Sequence, residues 1–235
     1  MKKILKMKKY QIIFALIVAT LLTMSSCNKA NPDNKAIVEN PADNLKSNSS
    51  SKELADVSNW NKSCQMAVDE ITKKYGQPNG ITADELIWSN AGVWKKISIT
   101  KMESKHSFPI EHTDMMQTTI MYKVPEGKMD ELGMFDGSVT FDRTQGTMSA
   151  RCDKEANNFL ALNLANDIIT NKKTVEQARK AYGDIIKQKM AGESPEYMMK
   201  LTFGSQPNAA DPDKNTTGLN KEEVMAAIEK NTPNK

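Results

Sequence analysis

Five lysines fall within the first nine residues, and Ile12 to Leu22 then runs as eleven residues with a single hydroxyl, Thr20. A charged stretch followed by a short apolar one is the order of an export signal, and this run falls short of the about 20 residues that a spanning helix needs. Residues 28–58 carry no aromatic side chain and include Ser47-Asn48-Ser49-Ser50-Ser51. So little apolar surface cannot offset chain entropy, which predicts a flexible tether with an end-to-end distance of about 30 Å.

Apolar periodicity starts at Trp60. Trp60, Cys64, Val68, Ile71 and Tyr75 recur at helical spacing and Gly76-Gln77-Pro78 stops them. Leu86–Trp88 and Val93–Ile99 read as the strands of a hairpin turned through Ser89-Asn90-Ala91-Gly92, while Thr82 and Glu85 form a capping-box pattern that would suit a short helical turn before it. Met115–Val124 reads as a strand closed by Pro125. A short helix over 126–134 would turn Met129 and Leu132 inward, and 138–141 with 146–150 read as a second hairpin.

After Cys152 the period lengthens. Phe159, Leu160, Leu162, Leu164, Ile168 and Ile169 mark a buried helix over 153–170, and Thr174 with Gln177 opens a second, amphipathic one carrying Val175, Ala178, Tyr182, Ile185, Ile186 and Met190. Ser194-Pro195 starts a short element reaching Phe203, and Asn220 with Glu223 caps a last helix over 221–230. This order predicts an α+β fold, an antiparallel sheet of hairpins packed against an N-terminal helix and a C-terminal helix pair. The domain plan is a leader at 1–26, a tether at 27–58, a globular domain at 59–205 and a loosely attached polar tail with a short helix at 206–235.

Charge changes the picture once the leader is set aside. The whole chain carries +3, but removing five leader lysines leaves 27 basic against 29 acidic side chains. No basic run interleaved with aromatics remains, so nucleic acid is not an expected partner.

Leu22-Thr23-Met24-Ser25-Ser26-Cys27 resembles the lipobox of bacterial lipoproteins, in which small residues precede a cysteine that is acylated and becomes the new N-terminus. The resemblance implies a signal peptide ending at Ser26 and acyl chains such as palmitate on Cys27. Met24 departs from the usual Leu, Val or Ile. Asn28, which is not the aspartate of inner-membrane retention, favours an outer-membrane anchor and a domain in the periplasm or at the cell surface.

Chemistry has few places to reside. His106, His112 and Asp114 are the nearest approach to a metal set, since zinc asks for three convergent N, O or S donors. The competing reading is a pair of exposed loop histidines beside a strand. Cys64 and Cys152 would be exported together, as a disulfide or as two buried thiols. Arg151, Asn163, Asn166 and Asp167 could line a polar pocket or simply bond to neighbouring loops. Twelve methionines remain in the mature chain; with imidazole they would suit Cu(I), although Met115, Met121, Met129 and Met148 fit core spacing. Trp88 and Trp94 either mark a binding surface or anchor the core. No phosphate loop, nucleophile elbow or Cys-x-x-Cys pair is present, no catalytic residue is assigned, and no cofactor is named by any motif.

Lys74-Tyr75-Gly76-Gln77-Pro78, Trp88-Ser89-Asn90-Ala91-Gly92-Val93-Trp94-Lys95, His112-Thr113-Asp114, Tyr122-Lys123-Val124-Pro125, Phe135-Asp136-Gly137-Ser138 and Ser149-Ala150-Arg151-Cys152-Asp153 together resemble an uncharacterised family of exported bacterial proteins, over residues 59–213. That resemblance implies no activity. The helix ended by Gly-x-Pro and followed by a Trp-bearing hairpin is locally similar to outer-membrane assembly lipoproteins. The expectation is therefore a membrane-anchored cell-envelope lipoprotein acting as a non-enzymatic binding or assembly module for an envelope protein or other envelope component. The alternative is a metal-binding protein or metal-dependent periplasmic hydrolase.

Expressing the full chain in cells fed a clickable palmitate analogue tests the anchor. The wild type should take up label and fractionate with membranes, and Cys27→Ser should lose both properties.

Overall fold

The computed structural model describes residues 56–232, all within one compact unit. The leader, Cys27 and nearly all of the tether lie outside the described residues. Helix α1 (Lys62–Tyr75) starts where the Asn61 side chain accepts from the Ser63 amide, and it buries Cys64, Ala67, Val68 and Ile71. Lys73 and Lys74 sit in its last turn, where cations complement the helix dipole, and Gly76 ends it at φ +81°.

Six strands follow: β1 (Gly80–Ile81), β2 (Glu85–Ala91), β3 (Trp94–His106), β4 (His112–Met121), β5 (Thr140–Asp142) and β6 (Thr147–Cys152). They form one sheet in the order β1-β2-β3-β4-β6-β5, with every neighbouring pair antiparallel. A 3-10 turn (Glu126–Lys128) and helix α2 (Met129–Phe135) connect β4 to β5; helices α3 (Glu155–Ile169) and α4 (Val175–Met190) follow β6, and α5 (Lys221–Asn231) comes last. The protein is an α+β fold, as its apolar periodicity predicts.

Three details depart from the expected pattern. The β2–β3 turn is tighter, with Ala91 paired to Trp94 across Gly92-Val93. Gly92 has φ +61°, and a Cβ there would lie 2.9 Å from the Tyr75 ring, so the residue is fixed by backbone and by space. Thr82 and Glu85 do not start a helix: Thr82 Oγ1 accepts from the Asp84 and Glu85 amides within the turn that joins β1 to β2. Strand β3 continues past Ile99 to His106, through a register shift between Ile99 and Ser104. Residues 100–106 are mostly polar, and their strand conformation comes from pairing with β4 rather than from their own pattern.

One face of the sheet is buried. Ile97, Thr118 and Ala150 stand abreast on β3, β4 and β6, with Ile99, Met116 and Cys152 in the next row, and all are buried. Helix α3 is buried almost all round, which is why its apolar residues show a broad face rather than a stripe. Its first residue, Glu155, is buried and accepts from Lys74 Nζ, Tyr75 Oη and Trp94 Nε1 at 2.5, 2.5 and 2.7 Å. That carboxylate joins α1, the first hairpin and α3.

Residues 206–213 are not loose. Gln206 N–H donates to the Met121 carbonyl and its side-chain oxygen accepts from the Lys123 amide, Asp211 N–H donates to the Arg143 carbonyl, and Ala209 is buried. Arg143 also reaches Glu126, Asp211 and Asp213 at 3.0, 3.7 and 3.0 Å. Gly146, at φ +66°, lets this strap approach: a Cβ there would sit 2.3 Å from the Ala209 carbonyl carbon. The polar composition of the segment hides bonds to the end of β4 and to the β5–β6 turn.

Glu155→Ala should lower stability by about 2–4 kcal/mol, because the buried Trp94 N–H loses its acceptor and Lys74 and Tyr75 lose theirs. Equilibrium urea unfolding with an unchanged slope would register this as a lower midpoint; an unshifted midpoint would refute the linking role.

Candidate metal centre

Strand periodicity builds the site. Met116 faces the core, so Asp114 and His112, two and four residues earlier on β4, share its face. His106 is the direct cross-strand partner of His112, which places their ring centroids 4.9 Å apart. Cys152, on β6, pairs with Met116 and so stands diagonal to Asp114. Asp136, at the C-terminal end of α2, completes the group from a different layer.

Both histidines belong to strand ends rather than to a solvent-exposed loop, and their side chains are 18% and 17% exposed. The ring of Phe108, from the β3–β4 connection, covers His106 with centroids 6.4 Å apart; it is itself held edge-on by Phe135 and Tyr182 and capped by the Arg179 guanidinium.

Asp114 is only 2% exposed. Its Oδ2 lies 3.2 Å from His106 Nδ1, and its Oδ1 lies 3.0 Å from His112 Nε2. These separations are short, yet His106 Nδ1 and Asp114 Oδ1 are both buried without a hydrogen-bond partner. Nitrogen and oxygen face one another out of line for an N–H···O bond. Donor atoms of His106, His112 and Asp114 all lie within 4.8 Å of one another. Tetrahedral zinc at about 2.0–2.1 Å from its donors sets them about 3.3 Å apart, close to the contacts seen.

The outer partners orient the rings for the same purpose. His112 Nδ1–H donates to the Ile110 carbonyl at 2.8 Å, which leaves the Nε2 lone pair directed toward Asp114. His106 Nε2 points at Asp136 Oδ1, 3.5 Å away, and that oxygen accepts from the Ser138 amide and hydroxyl. Carboxylate–histidine pairs of this kind hold a metal-binding imidazole in one tautomer. Burial pushes the Asp114 carboxyl above the ordinary carboxylate range; His106, His112 and Arg151 draw it back, and Asp136 raises it further.

Cys152 Sγ sits 3.3 Å from His112 Nε2 and 3.4 Å from Asp153 Oδ1. A nucleophilic Cys–His–Asp relay would need the carboxylate on the other ring nitrogen, which here is bonded to Ile110. Burial, followed by the Asp153 charge, also drives the Cys152 thiol far above its ordinary value. The arrangement suits a soft donor beside a metal better than an activated thiol. A cavity of about 300 Å³ adjoins His112 and Cys152, between the β3–β4 connection and α4.

Other expected sites resolve differently. Of the two readings open for Cys64 and Cys152, the structure has two buried free thiols: Cys64 donates toward Thr100 and Glu103 while Cys152 turns to His112. Asn163, Asn166 and Asp167 spend their side chains on neighbouring groups. Asn163 bonds the Tyr197 and Lys200 carbonyls and accepts from Thr202, Asn166 accepts from Tyr122 Oη, and Asp167 takes Lys173 and Tyr197. Arg151 is set apart from them on β6, opposite Gln117. Trp88 and Trp94 are buried core anchors whose N–H groups reach Gly76 O and Glu155, and Met115 and Met148 are buried while Met121 and Met129 are half-buried.

Two members escaped the sequence reading. Asp136 carried a signal in the Asp-x-Ser turn, which its bonds to Ser138 fulfil. Cys152 carried none, because its proximity to His112 depends on how β6 pairs with β4. The chain matches no protein-family model, no curated protein and no solved structure.

Burial, reinforced by Glu103, pushes the Cys64 thiol from its ordinary 9.0 up to about 11. Its thiolate at pH 8 is therefore about a hundredfold scarcer than in the unfolded chain. The associated stabilisation is fully present below pH 9 and fades as pH rises toward about 11. Alkylation mapped by mass spectrometry at pH 8 should be slow at Cys64 in the native chain and fast in urea; equal rates would contradict the burial argument.

Proposed function

We propose that this protein is a lipid-anchored envelope protein whose folded domain binds a zinc-like divalent ion through His106, His112 and Asp114, with Cys152 beside them. One observation carries the reading: a carboxylate 2% exposed stands 3.0 and 3.2 Å from two imidazoles, while its Oδ1 and His106 Nδ1 lack hydrogen-bond partners. A buried carboxylate without donors is costly, and a cation at the convergence of these lone pairs removes the penalty. Two imidazoles and one carboxylate, with a thiol nearby, favour zinc over calcium or magnesium, which prefer all-oxygen shells. Three protein donors leave a coordination position for water or another ligand. The anchor rests on the leader and on Cys27.

A binding or assembly module acting through α5 is the second reading. It is favoured by Leu219, Val224, Met225 and Ile228, which stand exposed along and just before that helix at helical spacing. Crosslinking in intact cells should recover a specific partner whose yield falls with Val224→Glu; unchanged recovery would remove α5 from that role.

The full chain purified in detergent should take up one equivalent of zinc by elemental analysis, with a rise in Tm. Asp114→Asn and His112→Ala should each weaken uptake by at least about a hundredfold, and Asp136→Asn, which only orients His106, by about 10- to 100-fold. Affinity should fall as pH falls, because protons compete for the raised Asp114 carboxyl. No stoichiometric metal and no thermal shift with zinc or copper would end the metal reading.

A further inference from the structure

The cavity beside the cluster has its own chemistry. Its wall contains His112, one of the three donors, and Cys152, so it borders the cluster at that histidine. Pro109, Ile110, Tyr182, Ile186 and Met198 supply an apolar body. Lys154 and Lys189 also line it, both exposed; the one carboxylate there, Asp153, accepts from Asn157 Nδ2 at 2.7 Å and pairs with Lys154 at 3.7 Å. A divalent ion held by one carboxylate and two neutral imidazoles keeps a net positive charge, and Lys189 adds to it. A cavity of about 300 Å³ lies at the small end of the range for small-molecule sites.

We infer that the domain binds a small monoanion with an apolar tail, its anionic head on the metal ion and its chain in the cavity between the β3–β4 connection and α4. This deepens the metal reading and rests on it. Charge places the head, because His112 of the metal set and the lysines line this same cavity. Volume limits the tail to a short chain rather than a full membrane acyl chain. The exposed residues of the wall are Ile110, Lys154, Lys189 and Met190.

Straight-chain hydroxamates, lengthened one methylene at a time from acetohydroxamate, serve as probes by isothermal titration of the zinc-loaded full chain. Affinity should rise about fourfold per methylene, the increment of apolar burial, until the cavity is full, and then level off. Zinc-free protein should show no such series. Ile186→Trp, and Met190→Trp at the mouth as a variant outside the core, should flatten the chain-length dependence while leaving zinc uptake unchanged. Zinc uptake with hydroxamate binding that ignores chain length would overturn the cavity inference and leave the metal centre standing. Failure to take up zinc would overturn both.

Discussion

The register of β4 between β3 and β6 governs this molecule. Met116 and Ile120 must face α3 and the core, and with a period of two every second residue follows them. That requirement carries Asp114 inward, sets His112 at the strand's edge on the same face, and opposes it with His106. A slip of one residue would bring Gln117 and Thr119 to the face now held by Met116, Thr118 and Ile120 and turn the carboxylate outward. Apolar packing thus fixes the polar cluster, and the cluster needs no separate scaffold.

Two buried carboxylates show what distinguishes a structural acid from a candidate site. Glu155 receives an ammonium, a phenol and an indole N–H, all within 2.7 Å, so its charge is compensated wherever it is desolvated. Asp114 is as deeply buried, yet the groups nearest it offer lone pairs instead of aligned donors. Its raised protonation tendency is the electrostatic mark of that deficit. The fold sustains the deficit because β4 is paired on both sides and held by the core. Asp136 and the Ile110 carbonyl meanwhile turn the rings so that a cation would meet lone pairs on each side.

The chain after α4 extends this logic to the sheet's far end. Arg143 gathers Glu126, Asp211 and Asp213, and the 206–213 segment lies against the β5–β6 turn, where Gly146 leaves room for its backbone. The last helix keeps its apolar residues exposed and makes no comparable attachment among the described residues. The folded domain therefore presents its polar cluster near α4 and its exposed apolar stripe on α5, on separate elements.

Much of the fold was legible before any coordinates. Helix α1 announced itself through Trp60, Cys64, Val68 and Ile71, α4 through the Thr174–Gln177 capping box, and the second hairpin through its central Gly146; these are local signals, set by spacing and caps. His106, His112 and Asp114 were recognisable as donors, but their convergence was not. Residues 100–106 carry no strand pattern and become a strand only because β4 pairs with them. Cys152 is forty residues from His112 and meets it through the β4–β6 register, while Asp136 arrives from another layer. By itself, the sequence determined the order of most elements and the α+β class, since those follow from periodicity and turn chemistry within a few residues. Tertiary structure decided which polar groups meet and which go unsatisfied, because desolvation and convergence exist only once distant strands share one buried face.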